Sequence, residues 1–188
     1  TDDLDIKELE RYEHNIAVFG RKVQEKLLNL KIFMVGCGAL GCEYIKNFAL
    51  LGVACGENGS ITVTDNDRIE VSNLNRQFLF RSDNVGNHKA EAAGARATVM
   101  NPEFKPVAML DNVMPASEDK FHDKFWAEQN ILLLALDNIK ARMYCDKKAV
   151  IFEKPLLNSG TLGTSASLDS VIPYQTRSLH ETKGAENE

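Results

Sequence analysis

A glycine-rich turn between an apolar segment and a helical one constrains this chain more than any other feature. The segment KIFMV, residues 31–35, has the character of a buried strand, and G-x-G-x-x-G follows at Gly36, Gly38 and Gly41. Glycine lets the backbone approach an anion closely, and the free N–H groups of the next helix point at it. We therefore predict a strand, a phosphate-binding turn and a helix over residues 39–51.

The rest of the chain alternates between strand-like and helix-like segments. Further strands are predicted at 61–65, 104–110 and 131–136, with one or two more within 155–173, and helices at 89–100 and 139–152. Such alternation is typical of an α/β fold with a mostly parallel sheet covered by helices on both faces. One or two leading helices fill residues 1–30, the nucleotide-binding core spans 31–173, and the charged tail 174–188 is expected to be mobile.

Composition narrows the function further. With 188 residues, 44% of them apolar and 26% charged, the sequence predicts one globular domain. A net charge of −5 with no basic cluster argues against nucleic-acid binding, and the apolar runs are too short for a membrane span. The four cysteines form no C-x-x-C and no leader opens the chain, so we expect reduced thiols and no zinc knuckle.

An acidic residue closes the second predicted strand. Asp65 stands where a carboxylate accepts hydrogen bonds from ribose hydroxyls in nucleotide-binding α/β folds. Together with the glycine turn it predicts a nucleotide site, and it fits NAD, FAD and ATP equally.

The segment SNLNRQ favours a triphosphate among these nucleotides. If its turn is helical, three polar side chains share one face: Asn73, Arg76 and Gln77. Arg76 and Lys89 would bring positive charge to the edge of the sheet where phosphates react, which a nicotinamide does not need. The alternatives are that Arg76 pairs with Asp83 or Glu70 and that Lys89 is a solvated helix residue.

Asp137 and Asn138 end the most apolar predicted strand, ILLLAL. Either residue type is a common helix N-cap, and Asp137 is also a hard oxygen ligand suited to Mg²⁺. Asp67 is a weaker second candidate for the metal, because it lies on the same side as Asp65 in an extended chain.

Four stretches together resemble the family of ubiquitin-activating enzymes: GCGALGCEYIKNFALLG, ITVTDNDRIEVSNLNRQFLFR, LALDNIKARMYCD and KPLLNSGTLGT. The resemblance is to their second, catalytically active adenylation repeat, a Rossmann-like domain of the ThiF- and MoeB-like superfamily. It covers essentially all of residues 1–188 as a single domain. It implies that ubiquitin and Mg-ATP give ubiquitin adenylate and pyrophosphate, the first step of ubiquitin conjugation.

The resemblance also implies roles for the residues found above. Asp65 would hold the ribose, Ala39 would lie beside the nucleotide, and Asn138 would lie near the adenine or ribose. The phosphates would be contacted by Asn73, Arg76, Gln77 and Lys89. Asp137, with Asp67, would hold Mg²⁺, and the residues predicted to be catalytic are Arg76, Lys89 and Asp137.

The same resemblance implies partners beyond this chain. The family's thioester-forming cysteine belongs to a domain after this segment, and none of the four cysteines here matches it. A first, inactive adenylation repeat and a domain that recruits the ubiquitin-conjugating enzyme are likewise expected elsewhere. His14 in RYEHN replaces the arginine of homodimeric bacterial relatives, which favours pairing with a different half. Cytoplasmic and nuclear localisation is expected.

Three other functions remain open from the sequence. The chain could activate another ubiquitin-like modifier, or serve as a non-catalytic interaction module. It could also be a Rossmann oxidoreductase with NAD or FAD, although we expect no proton donor such as a Tyr-x-x-x-Lys near the glycine turn.

Overall fold

The computed structural model describes residues 6–184 and builds one sheet of six strands. The strands are β1 (Lys31–Val35), β2 (Ser60–Thr64), β3 (Val107–Met109), β4 (Ile131–Leu134), β5 (Leu156–Leu162) and β6 (Ser165–Val171). The helices are α1 (Ile6–Phe19), α2 (Arg21–Leu28), α3 (Ala39–Leu51), α4 (Lys89–Met100), α5 (Asp123–Glu128), α6 (Ile139–Ile151) and α7 (Leu179–Gly184). The predicted α/β, Rossmann-like class is confirmed, including the leading helices.

The strand order in the sheet is β3–β2–β1–β4–β5–β6. The first five strands run parallel, and β6 returns antiparallel to β5 as a hairpin. The chain builds outward from β1 to β3 and then crosses to the other side of β1 with β4. The carboxyl ends of β1 and β4 therefore flank the point where the winding direction changes, and ligands bind at that point in open α/β sheets.

Two apolar clusters cover the two faces of the sheet. Side chains alternate along β1, so that Ile32 and Met34 pack in one cluster while Phe33 and Val35 pack in the other. The first cluster includes residues of α1 to α4, and the second includes residues of α5, α6 and α7. Helices therefore cover both faces, as the alternating pattern predicts.

The leading helices turn at Gly20 and are fixed to the rest of the domain at Tyr12. Gly20, between α1 and α2, has a φ of 84°, which favours glycine. Tyr12 is 3% exposed and packs so closely on Gly52 that a Cβ there would lie 2.3 Å from its ring. Asn101, at the end of α4, donates a hydrogen bond of 3.0 Å to the Tyr12 hydroxyl.

The third strand is shorter than the predicted 104–110. The Phe104 N–H donates to the Asn101 carbonyl at 3.0 Å, which closes a turn, and Pro106 has no N–H to give to a ladder. Pairing with β2 therefore starts only at Val107.

The tail expected to be mobile from residue 174 contains an anchored helix, so that expectation needs correcting at residues 178–181. Leu179 is 5% exposed and packs in the second cluster. The N–H groups of Leu179 and His180 donate to the buried carboxylate of Asp146 on α6, at 3.0 and 3.1 Å. Residues 185–188 lie outside the described part of the chain.

Within residues 6–184, no helix combines the length and apolarity that a membrane crossing requires.

Candidate functional site

A cleft of about 940 Å³ opens at the carboxyl ends of β1, β2 and β4. All but one of the residues predicted from sequence line it: Gly36, Gly38, Ala39, Asp65, Asp67, Asn73, Arg76, Gln77, Lys89, Asp137 and Asn138. The exception is Gly41. Parallel strands bring these distant segments to one edge of the sheet, which is why a pattern read from strand ends locates the cleft.

The three glycines of the turn have different tasks. A Cβ on Gly36, whose φ is 97°, would lie 2.5 Å from the Ala135 carbonyl oxygen, and one on Gly41 would lie 2.6 Å from the Gly36 oxygen. Both glycines therefore permit close backbone packing. At Gly38 the nearest atom to a Cβ would be Gln77 Nε2 at 3.8 Å, so this glycine keeps the cleft open. Gly41 packs against the Gly36 carbonyl and does not line the cleft, and its contact with a ligand stays a prediction.

Asp65 is held by the turn that it faces. Its Oδ2 accepts a hydrogen bond of 2.6 Å from the Cys37 N–H, and its Oδ1 accepts one of 2.8 Å from the Asp67 N–H. Burial raises the pKa of Asp65, and the two backbone donors oppose that rise. Each carboxylate oxygen keeps a further lone pair, so the fixed carboxylate can still accept from a ribose hydroxyl.

Lys89 is a buried, paired residue, so its interpretation as a solvated helix residue is wrong. It is 8% exposed, and its Nζ lies 2.7 Å from Asp67 Oδ2. The Lys89 N–H also donates to the Asp67 carbonyl at 3.0 Å. One oxygen of Asp67 is thereby engaged, which leaves Asp67 less available for a metal than Asp137.

The SNLNRQ segment forms a turn that presents Asn73, Arg76 and Gln77 to the cleft. The N–H groups of Arg76 and Gln77 both donate to the Asn73 carbonyl, at 3.1 and 2.9 Å, so the predicted helical turn is present. Gln77 is 4% exposed, and its Oε1 is buried with no hydrogen-bond partner. An unpaired buried oxygen costs free energy, and a ligand donor in the cleft would relieve that cost.

Arg76 is exposed, and its guanidinium donates to the Ser72 carbonyl at 2.9 Å and to Asn75 Oδ1 at 3.1 Å. Neither Asp83 nor Glu70 forms an ion pair with it in the described part of the chain. Its positive charge is therefore available to an anion.

Asp137 and Asn138 lie at an exposed corner between β4 and α6. Asn138 is the N-cap of α6, since its Oδ1 accepts from the N–H groups of Lys140 and Ala141 at 2.9 and 3.2 Å. Asp137 has the hard oxygen atoms that Mg²⁺ prefers. No cluster of three His, Cys, Asp or Glu side chains suited to a metal is found among residues 6–184. Mg²⁺ is commonly held by one or two carboxylates together with substrate phosphates, so the donor set fits such a shared site.

The sequence analysis missed the far wall of the cleft. This wall is formed by Asp111, Asn112, Val113, Met114, Pro115, Arg142, Tyr144, Gly160 and Thr161. Arg142 was detectable, because it follows the Asn138 cap by four residues and so lies on the same face of α6. The segment 111–115 gave no signal, since it forms neither a strand nor a motif.

The expectation that no Tyr-x-x-x-Lys lies near the glycine turn is corrected by Tyr144 and Lys148. They have the Tyr-x-x-x-Lys spacing that we did not expect near the turn, and Tyr144 lines the cleft. The Tyr144 hydroxyl donates to Glu118 Oε1 at 3.0 Å, and Lys148 Nζ lies 2.9 Å from the same oxygen. Burial and this hydrogen bond raise the pKa of Tyr144, the opposite of what proton transfer at neutral pH needs.

The four cysteines are buried and form no disulfide. Cys145 lies in the second apolar cluster, where burial raises its pKa to about 12. Cys37 and Cys42 lie in the first cluster, behind the turn, and neither lines the cleft. A buried thiol that does not line the cleft cannot reach a ligand bound there, so no candidate nucleophile is found among the four cysteines.

Comparison with known proteins identifies the family. The model of the ThiF family matches residues 12–188. The chain belongs to the ThiF family. The predicted resemblance is also confirmed: over 92% of its length the chain is 52% identical to "Ubiquitin-activating enzyme E1 1" of Candida albicans.

Two further relatives agree. "Ubiquitin-activating enzyme E1 1" of Arabidopsis thaliana is 51% identical over 88% of the chain. "Ubiquitin-like modifier-activating enzyme 1" of Homo sapiens is 47% identical over 97% of it. The matched region covers 15–17% of these three relatives, so this ThiF domain corresponds to about one sixth of their length.

Proposed function

We propose that this ThiF domain binds Mg-ATP and adenylates the C-terminal carboxylate of ubiquitin. The observation that carries the proposal is the cleft itself, which joins a glycine turn and a ribose-type carboxylate to Arg76, Lys89 and Asp137. The high identity to proteins named as ubiquitin-activating enzymes supports ubiquitin as the acyl substrate.

In this reaction a carboxylate oxygen of ubiquitin attacks the α-phosphorus of ATP. A bond forms between that oxygen and the phosphorus, the bond to the β-phosphate bridging oxygen breaks, and pyrophosphate leaves. The nucleophile is already ionised at neutral pH, so no general base is needed. The protein must instead align the reactants and stabilise the charge of the transition state.

The residues of the cleft divide these tasks. Asp65 orients the ribose, and the N–H groups at the start of α3 face the phosphates. Arg76 offers an unpaired positive charge, and Lys89 has two ammonium protons beyond the one given to Asp67. Asp137, with the second oxygen of Asp67, would hold Mg²⁺, which when bound neutralises charge on the phosphates.

The test is exchange of labelled pyrophosphate into ATP by the full-length protein, with a panel of modifiers. Ubiquitin-dependent exchange is expected, and Arg76→Ala should lower it about 100-fold because a transition-state contact is lost. Arg96→Ala is the matched control, since Arg96 is exposed on α4 and outside the cleft. A folded wild-type protein that gives no exchange with ubiquitin would refute the proposal.

The same panel decides between modifiers. Pyrophosphate exchange with a ubiquitin-like modifier and none with ubiquitin would support the adenylation reaction and assign a different modifier as its substrate.

The oxidoreductase alternative is tested by ligand-induced rises in melting temperature. ATP should raise it and NADH should not, because the cleft offers Arg76 and Lys89 to phosphates but only a raised-pKa tyrosine for proton transfer.

Partners and localisation are part of the same proposal. We propose pairing with an inactive adenylation repeat, which is supported by the exposed His14 where homodimeric relatives carry arginine. Transfer to a ubiquitin-conjugating enzyme would use other domains, since the four cysteines here are buried. Location in the cytoplasm and nucleus is consistent with thiols that form no disulfide, and imaging of the tagged full-length protein tests it.

A further inference from the structure

Arg142 on α6 joins the two strands beside the exposed corner. Its Nη1 donates to Asn158 Oδ1 and, at 2.8 Å, to the Ser159 carbonyl, both on β5. Its Nη2 donates to the carbonyl of Leu136, two residues after the end of β4. One guanidinium therefore fixes the exit of β4 against its neighbour.

The backbone N–H of Arg142 also binds this corner, at the residue after Asp137. The Arg142 N–H donates to the Asn138 carbonyl at 3.1 Å. Asp137 lies between the two peptide groups that Arg142 holds, the Leu136 carbonyl before it and the Asn138 carbonyl after it. The Asp137 side chain is exposed, so the position of its carboxylate depends on this backbone.

The network extends to the edge of the sheet. Asn158, which is 7% exposed, also donates to Asp169 Oδ2 on β6 at 2.8 Å. The Asn158 side chain therefore has a partner at each end, since its oxygen accepts from Arg142 and its amide nitrogen donates to Asp169. A buried polar network with its members satisfied is rigid, and a partial loss is felt along it.

We propose that Arg142 is a positioning residue, which fixes residues 136–138 so that Asp137 faces the phosphates of ATP. The inference rests on the proposed function for the ligand, but the fixed corner is a property of the protein alone. Lysine cannot replace arginine here, because a single ammonium lacks the planar fork that reaches acceptors on two strands. The lysine would keep the charge and lose the geometry.

A purely structural role predicts something different. If Arg142 only tied β4 to β5, removing another tie between the same strands would have the same consequences. Ser159 provides that tie, because its Oγ donates to the Leu134 carbonyl at 2.8 Å and the residue does not line the cleft. Ser159→Ala keeps the backbone carbonyl that Arg142 uses, so it is the matched control.

The first measurement needs no ligand. Hydrogen exchange of the peptide 135–142 in the full-length protein should be faster in Arg142→Lys than in the wild type. In Ser159→Ala the peptide should exchange at the wild-type rate. Equal acceleration in both variants, or none in Arg142→Lys, would overturn the inference.

The second measurement compares ATP with adenosine by calorimetry on the same proteins. Arg142→Lys should weaken ATP binding about 10-fold, as loss of a residue that orients a ligand group does. Adenosine binding should weaken less, because Asp65 and the glycine turn are untouched and only Asn138 among its predicted contacts lies in the fixed segment. Equal loss for both ligands would leave Arg142 as a structural tie and refute its positioning role.

Failure of the proposed function is distinguishable from these outcomes. A wild-type protein that does not bind ATP would refute the nucleotide site. The hydrogen-exchange comparison of the wild type, Arg142→Lys and Ser159→Ala would still decide whether Arg142 fixes residues 136–138.

Discussion

The two ends of the cleft are built in opposite ways. At one end, which we call the buried end, Asp65, Gln77 and Lys89 are largely covered and engaged with the protein's own backbone or side chains. At the other end, Arg76 and Asp137 are exposed, and neither forms an ion pair among residues 6–184. The charged groups at the buried end, Asp65 and Lys89, already have partners in the protein, whereas those at the exposed end have no ion-pair partner among residues 6–184.

This difference predicts which substitutions lower both stability and activity and which lower activity alone. A substitution at the buried end removes contacts that hold the fold and must lower both properties. A substitution at the exposed end removes at most solvent-exposed hydrogen bonds of the protein, so it should lower activity with little change in stability. The following four experiments test that separation, starting with the largest expected effect.

Gly36→Ala should have the largest effect, destabilising the protein by about 3 kcal/mol or more. Its φ of 97° is unfavourable for alanine, and the new Cβ would lie 2.5 Å from the Ala135 oxygen. Urea unfolding measures the loss. Gly86→Ala is the control, with a φ of 91° but nothing within 4 Å of the Cβ, so it should lose less. Equal losses would show that the contact with Ala135 is unimportant.

Asp137→Ala should lower pyrophosphate exchange about 100-fold, which corresponds to about 2.7 kcal/mol of transition-state stabilisation. Its free energy of unfolding should change by less than about 0.5 kcal/mol, because the side chain is exposed. Asp119→Ala, an exposed aspartate outside the cleft, should change neither. A large loss of stability in Asp137→Ala would contradict the comparison between the two ends.

Asp65→Ala should lower stability by about 1–3 kcal/mol, because the N–H groups of Cys37 and Asp67 lose their acceptors. It should also weaken ATP binding about 10-fold, since the ribose loses an acceptor. Denaturant unfolding and calorimetry measure the two effects. Asp65→Asn, which keeps one acceptor oxygen, should unfold at a denaturant concentration between those of the wild type and Asp65→Ala. Unchanged stability in Asp65→Ala would show that the buried end does not support the fold.

The smallest expected effect is a dependence of ATP affinity on pH. Burial raises the pKa of Asp65, and the ionised carboxylate is a stronger acceptor for a ribose hydroxyl than the protonated acid, so affinity should fall as pH drops through that raised value. Because the folded-state pKa lies above the unfolded one, ionising Asp65 lowers stability as pH rises through the same window. Calorimetry at a series of pH values should show the fall in wild type. Persistence of the same fall in Asp65→Asn would assign it to another group.

The sequence predicted the parts of the site that follow from strand ends. Gly36 and Asp65 directly follow strands of the parallel sheet and Asp137 lies three residues after β4, so the topology brings them together. The burial of Lys89 was not predictable, because it depends on Asp67 approaching α4 from a loop of irregular structure. Local pattern carries no information about such a contact.

The structural task of Gly41 was also hidden in the sequence. A G-x-G-x-x-G motif marks three positions without a side chain, but it does not say whether a ligand or another backbone occupies the space. Here the Gly36 carbonyl occupies it at Gly41, while the cleft occupies it at Gly38. The helical start of the tail was similarly missed, since a buried carboxylate on α6 rather than a local cap fixes α7.

The four buried thiols can be used to measure local unfolding of the protein. Cys37, Cys42 and Cys55 lie on one side of the sheet, and Cys145 lies on the other. A thiol reagent in water can modify them only when the surrounding segment opens, so labelling rates under native conditions give opening free energies. Because each side carries its own cysteines, mass spectrometry of the labelled peptides would show whether the two layers of helices separate from the sheet together or one before the other.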